Sequence, residues 1–417
     1  MHNRYDVVVI GAGMAGMLTA LALAERDIGV LLVESSRLGG GQSGQSHGYL
    51  HQGYAYGAAE PQLPPLFTQA RARWEQLATQ LTPVTEGSTV AFASEAAARG
   101  AAAYWASAGL PVERVNPPAW LAARIVSCFR SSESTLHLGH LLHALGERLE
   151  AAGVRFTRGD VVRTGRDGSG VNTEYTDPNG STVSVASSVV VVAAGAGAVG
   201  VLERSGLPCV VQCRKSHMLV LRGDLPAVSA IFPEREHHGL FLASRTGPDS
   251  RTTWLISDFQ SFDDTDPDSG ELAGWWARRV LSTLRSLVDS QTLGRVDLLS
   301  GYAATKSGLV PQSGTVAHEF GREFLDGRVV VTSPSKLTLA PLAAEDAVRS
   351  VCAVLKLPRS EVDWPQLGAP PVNAPAYGLE LIKVPHELWE TELATVKSPD
   401  LIEDLPTIRV LNSLFAR

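Results

Sequence analysis

The first thirty-four residues constrain this chain more tightly than any other stretch. Tyr5-Asp6-Val7-Val8-Val9-Ile10 is a short β-branched run, suited to a strand buried on both faces. It passes directly into Gly11-Ala12-Gly13-Met14-Ala15-Gly16, a GxGxxG, after which Leu18 to Glu25 is dominated by alanine and leucine and predicts a helix. Ile28 to Val33 predicts a second strand, ending on Glu34 with Ser35 beside it. Gly11 permits a tight turn, Gly13 lets a pyrophosphate approach the backbone, and Gly16 lets helix and strand pack closely. The helix start, around Met14 and Ala15, aims free N–H groups at phosphates. Glu34 is placed to accept the hydroxyls of an adenosine ribose, which disfavours a 2′-phosphate. Strand, glycines, helix, strand and acid in this order predict a dinucleotide half-site, without saying which dinucleotide.

A length of 417 residues predicts two domains, with room for an appendage. A hydrophobic content of 44% with 19% charged residues is ordinary for a globular chain and excludes large-scale disorder. The net charge of -7, with no Lys/Arg cluster, argues against a nucleic-acid partner. Cys128, Cys209, Cys213 and Cys352 form no paired CxxC and read as reduced thiols of a cytoplasmic protein. Strand residues begin at Tyr5, leaving no room for a signal sequence, and no apolar run approaches the roughly 18 residues of a membrane span.

Gly39-Gly40-Gly41-Gln42-Ser43-Gly44-Gln45-Ser46-His47-Gly48-Tyr49-Leu50-His51-Gln52-Gly53 is a loop rich in glycine, serine and histidine. It resembles the flavin-contacting segment of the D-amino-acid-oxidase-like (glycine oxidase-type) FAD oxidoreductases. Ser43, Ser46, His51 and Gly53, followed by Tyr54 and Tyr56, look closest to the L-2-hydroxyglutarate and glycerol-3-phosphate dehydrogenase branches. Small residues there let backbone N–H groups reach the pyrophosphate and ribityl chain, and the resemblance implies contacts from Gly41, Ser43, Ser46 and His47. Gly153 to Val162 looks like the strand bracketing the adenine, through Val161. Ser188 to Val192, ending in Ala193-Ala194-Gly195, resembles the small-residue turn beside the ADP. Arg328 to Thr332, then Ser333-Pro334-Ser335-Lys336-Leu337-Thr338 and a helix from Leu342 to Leu355, is similar to the segment that places a helix start near the flavin pyrimidine. Ser333-Pro334-Ser335 stands where flavin hydroxylases carry a GD motif, which counts against an aromatic hydroxylase.

The implied fold is α/β: a Rossmann-like, glutathione-reductase-type FAD-binding domain with an inserted mixed-sheet α+β substrate domain. The expected boundaries are 1–80, 140–212 and 303–358 for the discontinuous FAD domain, 81–139 and 213–302 for the substrate domain, and 359–417 for a C-terminal extension. That extension is punctuated by Pro365, Pro370, Pro371 and Pro375 and reads as a linker with a small packed unit, or as a partner-binding tail.

With flavin doing the redox chemistry, the protein must position a C–H and manage one proton. An amine needs only its free base; an alcohol needs a general base such as histidine. The resemblance puts His51 beside the isoalloxazine, as base, flavin contact or covalent attachment point, with a purely structural role as the alternative. His47 is the weaker candidate from the same loop. Lys306 falls where the family often has an arginine for a substrate anion; lysine keeps the charge but loses the bidentate fork. Lys336, Arg214 and His217 are further pocket candidates. His137, His140 and His143 invite a metal reading, but Leu141, Leu142, Leu145 and Leu149 mark an ordinary apolar helix face and no metal is expected. Trp275-Trp276 reads as core or interface. The expected function is an oxidase or dehydrogenase taking hydride from a carbon bearing a hydroxyl in a small polar substrate, with oxygen or another electron acceptor. The alternatives are an amine or amino-acid oxidase, an NAD(P)H-using monooxygenase, and a non-catalytic flavoprotein.

Overall fold

A computed structural model describes residues 4–56, 60–77, 87–235, 238–246, 250–259, 274–310, 319–358 and 361–367. Two eight-stranded sheets organise them. The first is built around Arg4–Ile10, flanked in parallel by Val30–Glu34 and by Thr182–Val192. Arg155–Arg158 and Val329–Thr332 extend it, also in parallel, and Gly321–Phe324 closes one edge antiparallel. Side chains alternate along a strand. Val7 and Val9 therefore enter one apolar layer with helices Met14–Ala24, Leu138–Ala151 and Ala340–Leu355. Val8 and Ile10 enter the opposite layer with Leu31, Val33, Val190 and Val192, under the antiparallel ribbon Asp160–Asp167 and Gly170–Thr176. Burial on both faces is why the strand reads as an unbroken β-branched run.

The second sheet runs Val296–Leu309, Val211–Gly223, Thr252–Asp258, His238–Thr246, Ala230–Arg235, Ser88–Phe92, Ser127–Ser131, Val112–Val115. Its neighbours are antiparallel except Ala230–Arg235 with Ser88–Phe92, so the sheet is mixed. Helix Gly274–Leu287 covers one face through Trp276, Val280 and Leu284. On the other face Val90, Phe92, Ile231, Phe241 and Ala243 meet Tyr49, Tyr54 and Trp105. That second face looks onto the loop that follows the dinucleotide fingerprint.

Several element bounds differ from the sequence expectation. The first helix starts at Met14 rather than Leu18, because Gly13 ends the turn and serves as its N-cap. The late helix starts at Ala340 rather than Leu342, since Pro341 is tolerated in a first turn. The expected domain cuts at 212/213 and 302/303 fall inside Val211–Gly223 and Val296–Leu309. Those two strands form one continuous ladder, which holds both wholly in the second sheet. His137 caps helix Leu138–Ala151, its Nδ1 accepting the His140 N–H at 3.2 Å.

Of the expected extension, residues 361–367 are described; Pro370, Pro371 and Pro375 lie outside the described residues. Val362, Trp364 and Leu367 are buried in the first apolar layer. Trp364 Nε1 donates to Glu345 at 3.0 Å, and the Leu367 N–H donates to Leu77 O at 2.8 Å. Among the described residues no helix is long and apolar enough to cross a membrane.

Candidate active site

The dinucleotide half-site is assembled by contact at the glycines. Gly11 has φ +98°, and a Cβ there would lie 2.6 Å from Ala194 Cα. A Cβ on Gly16 would strike the Gly11 carbonyl oxygen, so close packing of helix on strand requires the glycine. Gly13 is different: a Cβ there would meet only Ser43 Oγ, at 3.4 Å, and one on Gly41 would meet nothing within 4 Å. Apart from Ser43 Oγ, no side chain or backbone atom crowds the Gly13 position. Ser43 Oγ accepts the Met14 N–H at 2.8 Å. Glu34 accepts the N–H groups of Ala12 (2.7 Å) and Ser36 (2.9 Å) and the Ser35 hydroxyl (3.3 Å), fixing its carboxylate at the strand end. Gly195, at φ +55°, opens a short 3-10 turn after Ala194 and lies near Ser307. Val161 faces the apolar layer beside Val33, and its carbonyl accepts from Arg204 at 2.9 Å.

Loop 42–51 is then fastened on three sides. Gln42 Oε1 accepts the Ser307 N–H at 2.9 Å and its hydroxyl at 3.0 Å; Ser307 Oγ lies 3.1 Å from Ser333 Oγ. Tyr302 Oη donates to Gln45 O at 2.9 Å. Buried Arg245 donates to His47 O at 2.6 Å and to Leu136 O at 2.8 Å. Ser46 Oγ accepts the Gly48 N–H at 3.1 Å. Thr338 Oγ1 accepts the His51 N–H at 2.9 Å and donates to Tyr49 O at 3.3 Å, tying segment 335–339 to the histidine. Residues an even number of positions apart along a strand share a face. Lys306 and Tyr302 thus point the same way along Val296–Leu309, toward this loop.

His51 is buried in an aromatic cage: Tyr49 stacks on it (centroids 5.4 Å, planes 4° apart), Tyr56 meets it edge-on at 5.4 Å, and Phe241 lies at 5.1 Å. Its Nδ1 is 3.8 Å from Glu133 Oε2. Glu133 has no exposed surface, and its Oε1 accepts the N–H groups of Gln52 (2.7 Å) and Gly53 (3.2 Å).

A family description, "FAD dependent oxidoreductase" (DAO), matches residues 6–349. The chain belongs to this family of FAD-dependent oxidoreductases. Its cofactor is FAD, and the uncrowded backbone at Gly13 and at Gly41 fits the close approach of such a group's phosphates. The chain is 25% identical to a probable FAD-dependent oxidoreductase of Pseudomonas aeruginosa, over 89% of this chain and 97% of that protein. It is 24% identical to the glycine oxidase of Geobacillus kaustophilus over 59% of this chain and 69% of that one. The crystal structure of glycine oxidase from the same organism superposes with a TM-score of 0.68, at 19% identity, covering 86% and 96% of the two chains. The L-α-glycerophosphate oxidase of Mycoplasma pneumoniae, solved with FAD bound, shares the fold with a TM-score of 0.68 at 13% identity, covering 88% of this chain and 99% of that one.

In this FAD-dependent oxidoreductase the charged groups around the loop act on one another. Burial, with the fields of Lys336 and Lys306, lowers the pKa of His51, while Glu133 opposes the shift. Burial lowers His47 further, helped by His51, Lys306, Arg245 and Lys336. Lys306 is pulled down to about 8, by burial first and by Lys336 second, against the attraction of Asp258. Asp258 accepts from Trp276 Nε1 at 3.0 Å and from Arg279, and its own burial raises it. Burial also lowers Lys336, whose Nζ donates to Tyr56 Oη at 3.0 Å.

The structure thus brings His47, His51, Lys306, Lys336 and Thr338 together around one loop, with Ser335 at its rim beside Gly308. Leu337 opens the turn that carries Thr338. Arg214 is exposed on the strand opposite Lys306, and His217 is turned to the other face of the sheet, against Trp276 at 5.2 Å. Glu133 and Arg245 contact the same loop, and sequence reasoning did not single them out.

Proposed function

We propose that this FAD-dependent oxidoreductase oxidises a small anionic substrate at a carbon bearing a hydroxyl, with His51 as the base for the hydroxyl proton. The observation that carries this reading is the state of His51: a buried imidazole whose burial favours the neutral form, with a buried carboxylate 3.8 Å from its Nδ1. A neutral imidazole can accept a proton, and alcohol oxidation is the chemistry that needs one accepted. Bound FAD supplies the hydride acceptor at N5. The backbone from Gly11 to Gly16 would hold the pyrophosphate, Glu34 the ribose, and the segment from Ser335 to Thr338 the flavin end. Lys306, and Lys336 from the facing segment, would bind the substrate's carboxylate or phosphate; a point charge serves either anion. Electrons then pass to oxygen or another acceptor. Four free cysteines fit a reducing cytoplasmic setting.

The likeness to glycine oxidase favours a second reading, oxidation of an amine. An amine's free base already holds its lone pair, so His51 would then be dispensable. Anaerobic mixing with a panel of hydroxy acids, phosphorylated polyols and amino acids separates the two. The proposal expects hydroxy compounds to bleach the flavin's visible band. Bleaching by amines alone contradicts it, and bleaching by NADPH alone points to a monooxygenase.

A further inference from the structure

We infer that Glu133 is the positioning residue for His51, forming with it an imidazole–carboxylate dyad that fixes the proton on Nδ1 and leaves Nε2 to receive the substrate's hydroxyl proton. This rests on His51 being the base. Three observations carry it. Glu133 has no exposed surface, yet only its Oε1 is hydrogen-bonded, and both donors are backbone N–H groups of Gln52 and Gly53. The carboxylate is therefore locked to the segment immediately following His51. Its second oxygen, Oε2, is buried without a hydrogen-bond partner, and so is His51 Nδ1. The two atoms face each other at 3.8 Å.

An unpartnered buried carboxylate oxygen is costly to keep, so the geometry calls for a proton donor at that place. His51 Nδ1 is the group aimed at it. A separation of 3.8 Å is too long for a hydrogen bond, but catalytic contacts often tighten only when substrate is bound. The other groups facing the imidazole do not compete for this proton. Lys336 and Lys306 act on it only by repulsion. His47 lies edge-on to it at 5.9 Å, and Tyr49 and Tyr56 present ring faces or edges. The Tyr49 hydroxyl is spent on Ser88, Ala230 O and Leu242 O.

In the resulting step the substrate's O–H bond breaks and its proton forms a bond to Nε2. The C–H bond breaks with both electrons, its hydride passing to bound FAD, and the substrate leaves as a carbonyl compound. Nδ1 keeps its proton and donates it to Glu133 Oε2, which stabilises the imidazolium as it forms. The proton on Nε2 is later released to water.

The FAD-loaded protein, labelled at histidine Cε1 and ring nitrogens, tests this by NMR without substrate. In the wild type the neutral His51 should carry its proton on Nδ1; the Nε2 tautomer would overturn the dyad. Glu133→Gln should move the His51 titration to lower pH, because it removes the one charge that favours the imidazolium, and an unmoved titration would overturn the proposal. With a reducing hydroxy substrate, the same variant should lower kcat about 10²-fold with KM little changed. The wild-type tautomer decides the matter even where Glu133→Gln fails to fold. Should His51→Asn lose activity while Glu133→Gln leaves titration and rate intact, the dyad falls and the base reading stands. Should His51→Asn keep full activity, the proposal falls through the reading it rests on.

Discussion

Burial is the largest influence on the protonation of His47, His51, Lys306 and Lys336. His51 and His47 are held below the ordinary histidine value, so both are neutral near pH 7. The unfolded chain takes up their protons at about pH 6.5. Folded stability is therefore undiminished above that pH and is lost progressively as pH falls below it. Thermal melting at pH 5 should accordingly come at a lower temperature than at pH 7, with part of the difference abolished in His47→Gln. Lys306 has the opposite functional window: it is a cation below about 8 and neutral above. For an anionic substrate kcat/KM should fall as pH rises through about 8, and Lys306→Met should raise KM about tenfold or more while removing that alkaline limb. An unchanged limb in the variant would remove Lys306 from substrate binding. His51 and Lys306 were candidates from the sequence, because the family resemblance of their segments singled them out. Glu133 and Arg245 were not. Glu133 reaches Gln52 across 81 residues and Arg245 reaches His47 across 198, and no local pattern marks an acid or arginine that only the folded chain buries.

At the level of elements, the glycines of the first turn divide into those the fold needs and those a ligand needs. Gly16→Ala must push the helix off the strand, because its Cβ would strike the Gly11 carbonyl. It should cost about 1–3 kcal/mol in apoprotein stability, read from denaturant unfolding. Gly13→Ala meets only Ser43 Oγ at 3.4 Å and should leave the apoprotein's midpoint nearly unchanged. Its methyl group occupies the space above the helix start, so FAD affinity should still fall about tenfold or more, measured by fluorescence titration of the apoprotein. Equal effects from both substitutions would mean that the open space at Gly13 is not the phosphate site. The sequence predicted this strand–turn–helix correctly in kind, but began the helix at Leu18. Gly13 and Gly16 weaken local propensity, and burial of Met14, Ala15 and Met17 overrides it.

Across the whole molecule, the candidate site lies where the first sheet's loops meet one face of the second sheet, so neither sheet alone presents it. Val211–Gly223 and Val296–Leu309 run from that meeting place far into the second sheet, which is why cutting the sequence at 212/213 or 302/303 divides a single ladder. The start of the C-terminal segment belongs to the same architecture. Trp364 fills the first apolar layer and donates to Glu345, which Arg73 also engages at 2.7 Å. Trp364→Ala should cost about 3–5 kcal/mol in unfolding free energy, and a cost below about 1 kcal/mol would show that residues 361–367 are not part of the core. The central claim, a hydroxyl-oxidising flavoenzyme with His51 as its base, is tested most directly by the anaerobic rate of flavin bleaching with a reducing hydroxy substrate, wild type against His51→Asn, across pH. The wild-type rate should rise as pH passes upward through the His51 titration, and the variant should lose that rise and run about 10²-fold slower or more. A variant that bleaches at the wild-type rate with the same pH dependence would contradict the account.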